Sequence, residues 1–258
     1  MNEESDFYDE PEESDELPYR SPSEIDFSEL RVALGQLELF GDDPFLRQQA
    51  YSLCAVDQFI TGLEYDVLRR LNEKERTPVP EAMFLSAQSQ MWIFAVYEML
   101  RTWRQRAKNI IKWSENGGLE AKLRALQKDI GYQHFGRKIR AEEIKHVLAD
   151  PSTVARVRTS LRSIHIPFAR IEAIRISIAK HEVGGRQNSV ALRPGYGRIN
   201  RWCGSLDYEL ENGIYSMGFI SRRDIADELR ALPSNPPPTD EAIEQFDTYM
   251  RGPPIEQS

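Results

Sequence analysis

Apolar side chains fall at helical intervals along most of this chain, and an alternating pattern enters only near its C-terminal end. Leu30, Leu34 and Leu37 step along one face of a first predicted helix over 23–39, which Gly41-Asp42-Asp43-Pro44 interrupts. A second helix is predicted over 44–72, with Phe45 in its first turn. Tyr51, Cys54, Phe59, Leu63, Val67 and Leu71 supply its broad apolar stripe, and Pro78 and Pro80 close it. A third, over 80–113, carries Met83, Ala87, Met91, Ala95, Met99 and Trp103 along one side, widened by Trp92, Phe94, Val96 and Leu100. That breadth predicts a central helix, and the length of both helices suits a bundle.

Shorter helices are predicted over 119–129 and 141–148, with a loop over 131–141 between them. Asp150 followed by Pro151 is a helix start, an acceptor at the cap and a proline where no N–H is needed, and this helix runs to Ser163. Pro167 opens the next, over 167–182, with Ile171, Ile174 and Ile178 on one face and Gly184-Gly185 at its end. Beyond Gly185 the period changes. Leu206, Tyr208 and Leu210 alternate with polar residues, Asn212-Gly213 follows, and the run 214–220 completes a β-hairpin signal. Ser221 with Asp224 three residues on is a capping box for a helix over 222–232, and a last helical stretch covers 242–249 after Pro236-Pro237-Pro238. The predicted fold is mainly α, a long-helix bundle with a small C-terminal β-hairpin and helix appendage. Its parts are an acidic disordered tail over 1–22, the bundle over 23–185, the hairpin–helix unit over 186–235 and a loose segment over 236–258.

Charge changes this picture more than composition does. The 258 residues carry a net −8, but unevenly: −10 over 1–27, −5 over 28–100, +14 over 101–201 and −7 over 202–258. A basic middle flanked by acid points to a phosphate-bearing partner if its cations gather on one face, or to pairing within the chain if they do not. The acidic tail is then a solubilising segment or a competitor for the basic middle. No apolar run approaches the roughly 18 residues of a membrane span, and the acidic start is not a secretory signal, so a cytoplasmic protein away from membranes is expected. Cys54 and Cys203 lie far apart, and the four histidines form no metal-ligand spacing, so no metal and no cofactor are expected.

The candidate chemistry lies in and around the basic middle. Arg137, Lys138, Arg140, Arg158, Arg162 and Arg186 are the candidate phosphate contacts, with Tyr132 and Phe135 among aromatic residues that can stack on bases. Five residues separate Arg175 from His181 in R-I-S-I-A-K-H near the end of a late helix, and similar spacings recur at Arg140–His146 and Arg158–His165. An imidazole titrating near neutrality can take the 2′-hydroxyl proton of RNA, while a guanidinium holds the phosphate. Glu98, Arg101 and Glu172 are the candidate supporting network, and Glu98 reaches Arg101 one turn on. The plainer alternative makes His181 a core histidine and Arg175 an ion-pair partner of Glu172 or Glu98.

The Arg175–His181 spacing, placed late in a helical bundle, resembles the HEPN family of helical domains, whose nuclease members carry R-x4–6-H there. The resemblance implies metal-independent RNA cleavage with Arg175 and His181 as the catalytic pair, across a homodimer interface. Two readings follow. One is an RNA-interacting helical protein, a HEPN-like ribonuclease among its forms. The other is a non-enzymatic helical module that binds a protein partner.

Overall fold

The structure is a computed structural model that describes residues 19–132, 134–182, 196–211 and 215–252. Among these, nine α-helices and one three-stranded antiparallel sheet follow in order. The helices before the sheet are α1 (Ser28–Gly35), α2 (Pro44–Lys74), α3 (Val79–Glu115), α4 (Leu119–Gln127), α5 (Phe135–Ala149), α6 (Ser152–Ser163) and α7 (His165–Lys180). Strands β1 (Gly197–Ile199), β2 (Leu206–Glu211) and β3 (Ser216–Ser221) come next, then α8 (Arg222–Arg230) and α9 (Asp240–Arg251). The mainly α bundle with its small C-terminal sheet is the fold class the apolar spacing predicted.

Local chemistry sets the boundaries. The first helix is shorter than predicted, because the Asp26 carboxylate accepts the Ser28 N–H at 2.8 Å and starts α1 late. Asp43 starts α2 by accepting the Phe45 and Leu46 N–H groups at 2.7 and 3.1 Å. A connection of four residues, 75–78, folds α3 back along α2. Trp92 of α3 donates its indole N–H to the Leu53 carbonyl of α2 at 3.1 Å, and Trp103 donates to the Glu38 carbonyl at 3.0 Å. The loop predicted over 131–141 is mostly helix: α5 begins at Phe135, where His134 Nδ1 accepts the Arg137 N–H at 3.2 Å. Histidine is an unusual cap, and sequence rules for capping pass over it.

The buried faces of α2 and α3 match the stripes that spacing selected only in part: Cys54, Val67, Leu71, Trp92, Val96, Met99, Leu100 and Trp103 are buried and their other members are not. Tyr51 and Phe59 point to solvent, and α2 buries Leu46, Ala50, Leu53 and Ile60 beside Cys54, Val67 and Leu71. Met83, Ala87, Met91 and Ala95 are exposed on α3, whose inner face is Leu85, Trp92, Ile93, Val96, Leu100 and Trp103. The α3 sequence is apolar around most of its circumference between these positions, so periodicity had two faces to choose from.

The sheet follows its alternation. Leu206, Tyr208 and Leu210 of β2 are buried, Tyr208 stands opposite Gly197 of β1 and Ile220 of β3, and the Asn212-Gly213 turn lies outside the described residues. The added strand β1 carries no alternating run of its own. Ser221 and Asp224 form the predicted capping box: Ser221 N–H donates to Asp224 at 2.7 Å and Asp224 N–H donates to Ser221 Oγ at 3.1 Å. Leu206, Tyr208, Ile220, Ile225 and Leu229 belong to the same hydrophobic cluster as Trp92 and Ile60, so one core runs from the bundle into the sheet and α8.

An ionic network also crosses this junction. Asp57, Thr61 and Glu64 lie on one face of α2 at four- and three-residue steps, and all are fully buried. Arg222 of α8, also fully buried, donates from Nε and Nη2 to the two Glu64 oxygens at 2.8 and 2.7 Å, and from Nη2 to Thr61 at 3.0 Å. Its Nη1 bonds Asp57, whose other oxygen takes Arg230. Ser205 Oγ donates to Glu64 at 2.7 Å, and Arg223 donates to Asp227 at 2.9 Å and to the Arg20 carbonyl at 2.6 Å. Gly204 fits the loop between β1 and β2 against α2: at φ +77°, any Cβ there would sit 1.9 Å from the Glu64 carbonyl oxygen.

Removing one partner of a buried ionic cluster leaves the others unpaired and costs roughly 3–5 kcal/mol, far more than the ~0–1 kcal/mol of a surface pair. Arg222→Met is therefore expected to lower unfolding free energy by about that larger amount in urea titration, while Arg69→Ala, at an exposed pair on α2, changes it by less than about 1 kcal/mol. Burial also pushes the Cys203 thiol up to about 12, so at pH 8 about one molecule in ten thousand carries the thiolate. Both cysteines should resist maleimide in the native protein and react at once in guanidinium; fast native labelling of Cys203 would show that the loop opens.

Candidate nucleic-acid interface

Arg175 and His181 occupy different environments. Arg175 is half-buried on α7, its guanidinium 4.9 Å above the Tyr97 ring of α3. The Tyr97 hydroxyl donates to Glu172 at 3.0 Å, and burial followed by that carboxylate pushes the phenol pKa up. Tyr97 stacks on Phe168 at 5.4 Å between centroids, and the Arg104 guanidinium lies 3.8 Å over the Phe168 ring. Burial lowers the Arg104 pKa and Glu172 opposes that. The seam between α3 and α7 thus brings together Tyr97, Arg104, Phe168, Glu172 and Arg175. Glu98 and Arg101 pair with each other at 2.6 Å, about half-exposed, as their spacing predicted.

His181 ends α7 in the left-handed region at φ 57°, with its N–H on the Ser177 carbonyl at 3.0 Å. It is exposed, not the core histidine of the plainer reading. Leaving the helix there breaks the apolar progression that Ile171, Ile174 and Ile178 had suggested. Arg175 rests on a ring rather than pairing directly with Glu172 or Glu98. No sequence pattern marked Tyr97, Arg104 or Phe168 as its neighbours, because cation–ring contacts between helices have no fixed spacing along the chain.

Many cations of the basic middle are matched within the chain. Arg158 pairs with Glu115 at 2.5 Å, Arg140 with Glu143 at 2.5 Å, and Arg162 with Asp240. Arg106 bonds Asp43, Arg156 bonds Glu38 and Asp150 at 3.0 Å each, and Arg170 bonds Glu228. Arg137 is a structural residue: its guanidinium donates to the carbonyls of Ala125, Leu126 and Lys128 at 2.6, 3.2 and 3.3 Å and so caps the end of α4. Arg186 lies outside the described residues. Acids of the flanking segments thus answer Arg106, Arg156, Arg162 and Arg170, while Arg140 and Arg158 pair with acids of the middle itself.

Lys108, Lys112, Lys180 and Arg201 are exposed at scattered positions, but two lysines share a cleft. Between the end of α4 and the start of α5 lies a cleft of about 630 Å³, within the range of small-ligand sites. Lys128 and Lys138 line it and are exposed, as are Tyr132 at 65 % and Phe135 at 61 %. Its carboxylates are already engaged, Asp129 with the Gly131 N–H at 2.8 Å and Glu142 with Lys145 at 2.8 Å. His134 accepts through Nδ1, which leaves its Nε2 to carry the proton in the neutral ring. Arg137 forms the rear of the cleft, and Phe135 is braced edge-on by Phe45 of α2 at 5.9 Å. Two amines beside two exposed rings can hold a phosphate and stack a base.

Among the described residues no group of histidine, cysteine and carboxylate side chains is placed to hold a metal, and no helix is long and apolar enough to cross a membrane. No family model, no curated protein and no solved structure matches this chain. None of these comparisons identifies a HEPN domain.

Because Arg137 joins α4 to α5 through three carbonyls, Arg137→Ala should cost about 1–2 kcal/mol of stability. Hydrogen exchange should then quicken at residues 125–129 while α2 and α3 stay protected. Unchanged exchange there would show that the cap does not hold this corner.

Proposed function

We propose that this protein binds single-stranded RNA through the cleft between α4 and α5. The observation that carries the reading is the coincidence of Lys128 and Lys138 with the exposed Tyr132 and Phe135 rings in one cleft whose acids are already engaged. Many arginines elsewhere in the basic middle face carboxylates of the same chain, and these screen the protein's own acid more than they attract a polyanion. The lysines of the cleft supply phosphate contacts, and the rings supply a sequence-tolerant stacking platform. The reading is of binding rather than cleavage. Arg175 lies on Tyr97 while His181 stands exposed past the helix end, and neither of them lines the cleft.

The second reading, a module for protein assembly, is favoured by a separate observation: large apolar side chains of α2 and α3 face solvent on helices otherwise packed into the core.

Fluorescence anisotropy with short labelled oligouridine, oligothymidine and duplex RNA tests the first reading. Binding should favour single strands, and with two phosphate contacts log K should fall against log salt with a slope of about −1.4. Lys138→Ala should reduce that slope by about 0.7. Tyr132→Ala should weaken binding about tenfold to a hundredfold, the loss of one stacked base. Absence of binding at low salt, or binding that neither substitution alters, would refute the cleft as the RNA site. Equal affinity for oligothymidine would widen the ligand to single strands of either sugar.

A further inference from the structure

Along α3, residues 82–97 contain no charged residue at all, in a chain of which 29 % is charged. Along α2, residues 48–65 contain only Asp57 and Glu64, and both are fully buried on Arg222. The outer surface of this stretch of hairpin is therefore free of charge. It is not free of apolar bulk: Tyr51, Val56 and Phe59 of α2 and Met83, Phe84 and Met91 of α3 are each between 39 % and 69 % exposed.

These side chains lie on outward faces with the spacing of helix seams. On α2, Ser52, Val56, Phe59 and Leu63 recur at steps of four, three and four. On α3, Phe84, Ala87, Met91 and Ala95 recur at steps of three, four and four. That spacing keeps a stripe pointed at a neighbouring helix. The inner faces are already filled by Leu53, Ile60, Trp92 and Val96, and Leu63 leans onto that core, whereas Val56, Phe59, Phe84, Ala87, Met91 and Ala95 lie outside the hydrophobic cluster of the described fold. Both helices thus carry one apolar face toward their own core and another away from it.

From this we infer that the α2–α3 hairpin is the interface of a homodimer, in which two copies meet face to face and their four long helices form a bundle across a two-fold axis. Charge selects the occupant. A chain of net −8 repels its own copy, and a two-fold axis brings the charged groups close to it beside their twins. An uncharged face avoids that repulsion. The protein's own N-terminal acids are a poor occupant, because nine carboxylates over residues 1–18 would find no cation on this surface. Composition points the same way, since interface centres are depleted in charge and enriched in aromatic residues and methionine. The area is sufficient as well. At ~200 Å² for a large side chain the six residues expose roughly 700 Å², close to the roughly 800 Å² per partner of a standard interface and above the patch of an ordinary monomer. Helices that cross at about 20° interlock such three-and-four stripes over their length. The cleft between α4 and α5 shares no residue with this face, so dimerisation leaves it open and gives each dimer two of them.

Sedimentation equilibrium of the full chain between about 1 and 100 µM provides the test. The expected mass is twice the 29.8 kDa of one chain, and it should hold from low salt to 0.5 M because no ion pair contributes. Phe59→Glu and Met91→Glu should each raise the dimer dissociation constant at least a hundredfold while leaving the thermal melt of the monomer cooperative. Against misfolding of these variants, Phe59→Cys and, on α9, Glu241→Cys provide a second measurement, since the two native thiols are buried. A short bismaleimide should cross-link the first into dimers and leave the second as monomers. A wild-type monomer at 100 µM overturns the inference. So do a dimer that survives both glutamate substitutions and equal cross-linking at both cysteines. Tyr132→Ala should remain dimeric, so loss of RNA binding and loss of dimerisation are read separately.

Discussion

The pairing of Arg222 with Asp57 and Glu64 is the interaction on which the rest of this structure depends. An arginine sealed among two carboxylates, a threonine and the Trp92 ring has no alternative partner if α8 moves away. Burying such groups is costly, and the cost is offset only when every member keeps its place. The network therefore does little for net stability that a well-packed apolar cluster would not do. What it does is fix position. It sets α8 against one register of α2, seats the Gly204 loop on the Glu64 carbonyl, and leaves β2 and β3 aligned with the core.

That register has consequences on the opposite side of α2. Once Asp57, Thr61 and Glu64 face α8, and Leu53 and Ile60 face α3, Tyr51 and Phe59 are turned outward by helical geometry alone. The same holds for α3, where Trp92 and Trp103 are anchored by hydrogen bonds to Leu53 and Glu38, and Met83 and Met91 are left outside. The polar network and the exposed apolar face are thus two results of one helix rotation. Its only acids being drawn inward, this part of α2 presents an outer surface without charge.

Electrostatics across the remainder follows the same economy. Arginines of the middle meet acids from the connection between α1 and α2 and from α8 and α9: Arg156 with Glu38, Arg106 with Asp43, Arg162 with Asp240, Arg170 with Glu228. His165 meets Asp247 at 2.9 Å in the same way. Contacts of this kind hold α9 although it buries no residue of its own. The lysines beside Tyr132 and Phe135 escape the pattern, because the nearby acids are engaged with Gly131 and Lys145, and so a modest cationic site persists on an acidic protein.

The order of apolar and polar residues alone determined the helical class, the limits of α2 and α3 within a few residues, the capping box at Ser221 and the alternation of β2. Each of these depends on neighbours along the chain, where spacing is a physical distance. The sequence also named Lys138, Tyr132 and Phe135, and the Glu98–Arg101 pair. Tertiary structure decided which of two apolar faces of α2 and α3 turned inward, that Arg137 caps α4, and that His181 stands exposed. It also decided that Arg222 is buried on residues more than 150 positions away. Those outcomes rest on partners brought together only by folding, and neither charge nor hydropathy at a position says which distant group will answer it.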